Sequence, residues 1–198
     1  MQVKIIREAG YDEALKGMSF SFKDGSLDTE SWWEGQREKA KKRAGLLAGK
    51  GAGHDKFLRQ IQLWIEVQAP RCLWPELSAY KVGVVENSES TVHRLSKREP
   101  IISDFEIDTP FSTISTFVEE WHKWQEEGSN DLAKLKCALP EGYLQRRMIT
   151  PNYANLRNII EQRKNHRLKY WNMFTDEIMK QVEHKELLIF KGKHDDTN

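Results

Sequence analysis

The residues best equipped for chemistry are concentrated between Leu139 and Arg163, in the stretch LPEGYLQRRMITPNYANLRNIIEQR. Arg146, Arg147, Arg157 and Arg163 lie there among Asn152, Asn155 and Asn158. A guanidinium presents a planar fork of donors that matches phosphate, and a carboxamide offers both a donor and an acceptor to a ring edge. Together they suit a clamp on a small phosphorylated ligand, made of charge-assisted hydrogen bonds. A second group lies upstream in Asn87-Ser88-Glu89-Ser90-Thr91, where Ser88 and Ser90 add hydroxyls and backbone amides fit for an anion nest. Each candidate also has a plainer reading. Arg146 and Arg163 pair with Glu141 and Glu161, Ser88 to Thr91 forms a polar turn, Lys81 is a solvated strand-end lysine, and Asn152 caps a helix. Asn158, inside a helix where asparagine is a mediocre former, leans towards a ligand.

The elements that must hold these residues follow from patterning. Val3 to Arg7 reads as an opening strand and Tyr11 to Lys16 as a short helix. Residues 21–36 read as a mobile polar loop with two exposed tryptophans, Trp32 and Trp33, leading into a basic helix from Arg37 to Leu47. The glycine-rich run Gly49 to Gly53 ends that helix and lacks the order of a P-loop. Ile61, Leu63, Ile65 and Val67 alternate with Gln60, Gln62, Glu66 and Gln68, the mark of a half-buried strand that stops at Ala69-Pro70. Residues 70–80 predict a short helix carrying Trp74 and Leu77, and Lys81 to Val85 a short strand. Residues 96–112 read as irregular, followed by helices over Thr113–Glu126 and Asp131–Leu139. Thr150-Pro151-Asn152 starts a helix striped by Leu156, Ile159 and Ile160. Leu168 to His184 forms a second, with Trp171, Phe174, Ile178 and Val182 on one face and His166 and His184 as exposed helix-end residues. The fold class is α+β, one domain over residues 1–190 with a sheet, antiparallel or mixed, flanked by helices, and a flexible tail over 191–198.

Bulk properties narrow the function. The 198 residues suffice for one domain with a substantial core. A net charge of +1 gives no global pull towards nucleic acid or anionic membrane, so anion affinity must be local. The two cysteines, Cys72 and Cys137, show no metal or disulfide spacing, so no metal is expected and a reducing cytoplasm is the default setting. The N-terminus reads as neither a signal peptide nor a membrane span.

Two segments resemble the flavin-dependent thymidylate synthases. The first is Gly53-His54, followed by the alternating strand and Ala69-Pro70. The second is Leu139-Pro140, then Arg146, Thr150, Asn152, Asn158 and Arg163 in the family's order. Between them the family carries Arg-His-Arg, seven residues and a serine; this chain has Ala79-Tyr80-Lys81 and eight residues before Ser90. The resemblance implies the family's fold and a homotetramer with sites built between subunits. It implies nucleotide contacts from Lys81, Ser88, Ser90, Arg146 and Arg163, and flavin contacts from His54, Asn152 and Asn158. It further implies FAD, NADPH and a methylene-folate as reaction partners, with dUMP as carbon acceptor. No catalytic nucleophile is expected, because in that family binding groups and flavin do the activating.

Three functions remain open on these residues. One is one-carbon transfer to a deoxyuridylate-like pyrimidine nucleotide. Another is a nucleotide-binding protein on the same scaffold, without flavin chemistry, that senses, sequesters or scaffolds. The third is nucleic-acid binding through Arg157, Arg163, Lys164, Arg167 and Lys169, which near-neutral charge and the lack of a reader motif disfavour.

Overall fold

The computed structural model describes residues 1–23, 25, 29–128 and 131–189. The tail expected over 191–198 lies outside the described residues, as do parts of the loop expected over 21–36. The four strands β1 (Gln2–Ala9), β2 (Gln62–Pro70), β3 (Glu86–Ser88) and β4 (Leu144–Ile149) form one antiparallel sheet in the order β1-β2-β4-β3. With the helices α1 (Tyr11–Ser19), α2 (Thr29–Leu47), α3 (Trp74–Leu77), α4 (Thr91–Lys97), α5 (Phe111–Glu126), α6 (Leu132–Ala138), α7 (Tyr153–Arg163) and α8 (Lys169–Gln181), the class is α+β. The described chain divides into two compact units, 1–3 with 66–81 and 86–148, and the described residues of 4–65 with 82–85 and 149–189.

In the first unit, α5 and α6 close over an aromatic cluster. Leu95, Phe105, Ile114, Phe117, Trp121, Trp124, Leu135, Leu139 and Tyr143 are buried together. Two indoles satisfy their N–H groups on backbone, Trp121 on Leu95 O at 2.8 Å and Trp124 on Asp131 O at 3.2 Å. Asp131 caps α6 through its side chain. Residues 71–80 are a succession of tight helical turns around α3 that bury Trp74 and Leu77, as their spacing predicts.

In the second unit, the alternation along the start of β2 does what it predicts: Ile61, Leu63 and Ile65 are fully buried. α8 buries Trp171, Phe174 and Ile178 along its periodic face, and Val182 follows just past its end. Helix α7 starts at a reciprocal cap: Asn152 Oδ1 accepts from Asn155 N at 3.0 Å, and Asn152 N donates to Asn155 Oδ1 at 3.1 Å.

Three local expectations are corrected. Helix α2 begins at Thr29, eight residues before Arg37, and Trp33 is buried in it while Trp32 is half-buried. The polar residues around the tryptophans hide a helix whose apolar stripe is narrow. Lys81 to Val85 is a turn rather than a strand, with Gly83 at φ +75° and Val82 and Val85 exposed; the strand falls on Glu86–Ser88. His166 and His184 are half-buried, not exposed. Each is held by a neighbour, His166 by Arg163 and His184 by the ring of Tyr11.

Candidate functional site

The candidate residues fall into two sets, one per unit. Lys81, Ser88, Ser90 and Arg146 belong to the first; His54, Asn152, Asn158 and Arg163 to the second.

In the first unit, strand pairing sets Glu89, not Ser88, against Arg146: Glu89 N–H donates to Arg146 O at 2.8 Å, and by alternation Ser88 and Arg146 lie on opposite faces of the sheet. Both side chains are exposed, as is Lys81 after the last helical turn. Arg146 meets Glu66 of β2 at 3.1 Å instead of Glu141. That pair is half solvated, so an anionic ligand can compete for the guanidinium at little cost. Ser90 is an N-cap: its Oγ accepts from His93 N at 3.4 Å at the start of α4. Its hydroxyl therefore has a structural task of its own.

Next to Arg146 stands Arg147, whose part sequence reasoning did not separate from that of its neighbour. Its guanidinium donates to Glu86 Oε2 at 2.7 Å and to Gln145 Oε1 at 3.1 Å, and lies 4.3 Å from the Trp74 ring centroid. Ser78 Oγ adds a 3.3 Å bond to Glu86. Alternation along β4 is the signal that separates the two arginines, since neighbouring strand residues face opposite ways. Behind them, Asp104 gathers Arg94 and Arg98 and the Ile101 N–H. Burial opposes its ionisation, but the Arg98 bond, the Ile101 amide and the Arg94 charge together hold its carboxyl below the usual range. Desolvation pushes the neighbouring Tyr143 phenol up to about 12. The Cys72 thiol is also pushed up, by burial and then by Glu141, which makes it a poor nucleophile.

In the second unit, Asn152 is 7% exposed and its side-chain oxygen is spent on the α7 cap. Asn155 Nδ2 donates to Val82 O at 2.8 Å, and Thr150 bonds Val85 from its backbone N–H at 2.9 Å. Thr150 and Asn155 thus hold the 82–85 turn. Asn158 is exposed, and its Oδ1 accepts from Gln162 at 2.9 Å. His54 is exposed within the glycine turn, where its backbone N–H donates to Gly51 O at 2.9 Å. Arg163 is half-buried, 4.4 Å over the Trp171 ring and 3.0 Å from His166 Nε2.

Arg157 is 7% exposed and donates to Leu187 O at 2.7 Å and Ile189 O at 3.1 Å. Desolvation lowers its pKa, against the pull of Asp55 and Glu161. It is a structural residue, so the basic run expected for nucleic acid loses its first member. No described helix is long and apolar enough to cross a membrane.

No family model matches the sequence, and no curated protein does. Solved structures do match. The chain is similar to a thymidylate synthase X from Helicobacter pylori solved with FAD and dUMP, with a TM-score of 0.73 and 18% identity over 95% of this chain and 97% of that one. A second structure of that enzyme complexed with FAD and dUMP aligns with a TM-score of 0.73 and 17% identity, over 96% and 98% of the two chains. A UMP/dUMP methylase from Streptomyces cacaoi, bound with 5-Br UMP, aligns with a TM-score of 0.55 and 12% identity over 80% of this chain and 74% of its own.

Proposed function

We propose, from the flavin-dependent thymidylate synthase fold of this chain, that the protein is a divergent member of that family, a single domain over residues 1–190 that binds a pyrimidine mononucleotide. The observation that carries this reading is the exposed Arg146 guanidinium of β4, held only in a half-solvated pair with Glu66, within a fold whose solved neighbours hold dUMP or UMP analogues. Arg146 and Lys81 meet the phosphate or a pyrimidine carbonyl, Ser88 and Ser90 supply hydroxyls, and Arg163 is the nucleotide-contact candidate of the second unit taken by itself. In the enzymatic reading the protein transfers a one-carbon unit to a deoxyuridylate-like pyrimidine, with folate and NADPH as co-substrates, as a cytoplasmic homotetramer.

FAD is the cofactor that reading requires. Of the residues matched to flavin contacts, His54 and Asn158 present exposed side chains, whereas Asn152 is buried and occupied by its cap. Positions 79 and 80 supply alanine and tyrosine where the family has a guanidinium and an imidazole. The donors present fit a mononucleotide better than a flavin, so no chemical step is derived through FAD. This favours the second reading, a nucleotide-binding protein on the same scaffold that senses, sequesters or scaffolds without flavin chemistry.

Two measurements on the purified full chain test the proposal. Titration with dUMP raises its melting temperature, by an amount equivalent to about 2.7 kcal/mol at one hundred times the dissociation constant. Reconstitution with FAD followed by gel filtration then separates the readings, because retained flavin absorbance supports the enzyme and colourless protein supports the binding module. A flat dUMP titration removes both.

A further inference from the structure

A second cluster of chemistry-bearing side chains lies in the unit that contains α7 and α8. Glu8 is the penultimate residue of β1, and Glu183 and His184 follow α8, so the sequence separates carboxylates that the fold unites: Glu183 N–H donates to Glu8 Oε2 at 3.1 Å across 175 positions. One ligand-type oxygen or nitrogen from each of Glu8, Glu183 and His184 lies within 4.8 Å of the others. The Glu8 side chain is only 4% exposed, and its Oε1 is 3.9 Å from His184 Nε2.

The surroundings are those of oriented ligands. Tyr153 OH donates to Glu8 Oε1 at 2.5 Å, fixing the carboxylate. The imidazole is stacked on Tyr11 with ring centroids 3.3 Å apart and planes 10° from parallel. Its second nitrogen, Nδ1, faces Glu186 Oε1 at 3.7 Å. A carboxylate behind the non-ligating nitrogen is the usual outer-shell partner of a metal-bound histidine.

From this arrangement we infer that Glu8, Glu183 and His184 form a binding site for a divalent transition-metal ion, zinc above all. One imidazole and two carboxylates suit zinc, cobalt or manganese and not magnesium, which prefers oxygen alone. Three carboxylates converge on one imidazole, a charge set that a doubly charged cation offsets. Ligand bonds of about 2.0–2.2 Å draw the donors closer than they now stand, and Glu183, being exposed, is the side chain free to close. Water completes the coordination from the Glu183 side. The ion ties the end of β1 to the segment after α8 and supplies no redox chemistry. Cysteine and histidine spacing gives no sign of it, because two of its ligands are adjacent and the third is at the other end of the chain.

The test uses the full chain after chelation with EDTA and dialysis. Addition of zinc restores one equivalent per chain by elemental analysis and raises the melting temperature by several degrees; magnesium leaves it unchanged. Cobalt gives visible d–d absorption of a low-coordinate centre. Because Glu8 is buried and its replacement can unfold the unit, the variants are Glu183→Gln and His184→Gln. Both keep the apo melting temperature near that of the parent and lose the zinc-dependent rise and the cobalt band. Zinc binding that persists unchanged in either variant, or no retained zinc at all, overturns the inference.

Discussion

The guanidinium of Arg157 occupies the space a side chain on Gly49 would take, and Gly49 is held at φ +78°. The glycine-rich turn after α2 and the buried arginine of α7 therefore form one joint. Arg157 then reaches past the turn to the carbonyls of Leu187 and Ile189. Gly49→Ala is expected to lower stability by at least about 1–2 kcal/mol from the left-handed backbone alone, with the collision added. Urea unfolding of the variant checks this, and an unchanged midpoint removes the joint.

Asn152 carries the start of α7. Asn152→Ala is expected to cost about 1 kcal/mol, and Asn152→Ser, which can still cap, to recover most of it. If both variants melt alike, the side chain has another role.

Arg146→Ala separates binding from folding. Its guanidinium is exposed and pairs with Glu66 across solvent, so the free protein should unfold within about 0.5 kcal/mol of the parent. The dUMP-induced thermal shift should fall at least about tenfold in apparent affinity if one charge-assisted bond is lost. Full nucleotide affinity in this variant sinks the proposed role of Arg146.

Asp104 sets an acid limit. Its folded pKa lies below the ordinary carboxylate value, so in that window the unfolded chain binds the extra proton and stability rises with pH. The contribution is complete above about pH 4 and is lost as pH falls through the folded value. Asp104→Asn should flatten this part of the stability–pH curve while leaving Arg94 and Arg98 without their shared partner. An identical acid slope in variant and parent refutes the assignment.

Much of the fold was legible because periodicity reports burial. The alternation of Ile61 to Val67 and the spacing of Trp171, Phe174 and Ile178 each had one physical solution. Lys81 to Val85 looked like a strand because two valines flank a glycine, yet what decides its shape is a pair of residues from far along the chain, Thr150 through its backbone N–H and its hydroxyl and Asn155 through its carboxamide. The start of α2 was lost for the opposite reason: its first turns are polar, and only Trp33 turns inward. Within the candidate site, residue type suggested a phosphate clamp, but type alone does not divide labour. Arg146, Arg147, Arg157 and Arg163 look equivalent in sequence, and they end in an open ion pair, a stacked pair with Glu86, a buried strut and a contact with Trp171.

The turn fastened by Thr150 and Asn155 has a consequence for how such chains change over time. Those two residues would keep their identities for mechanical reasons even in a lineage that had ceased to turn over any substrate. Their presence is a record of architecture, and the exposed guanidinium of Arg146 is where a change of trade would be written first.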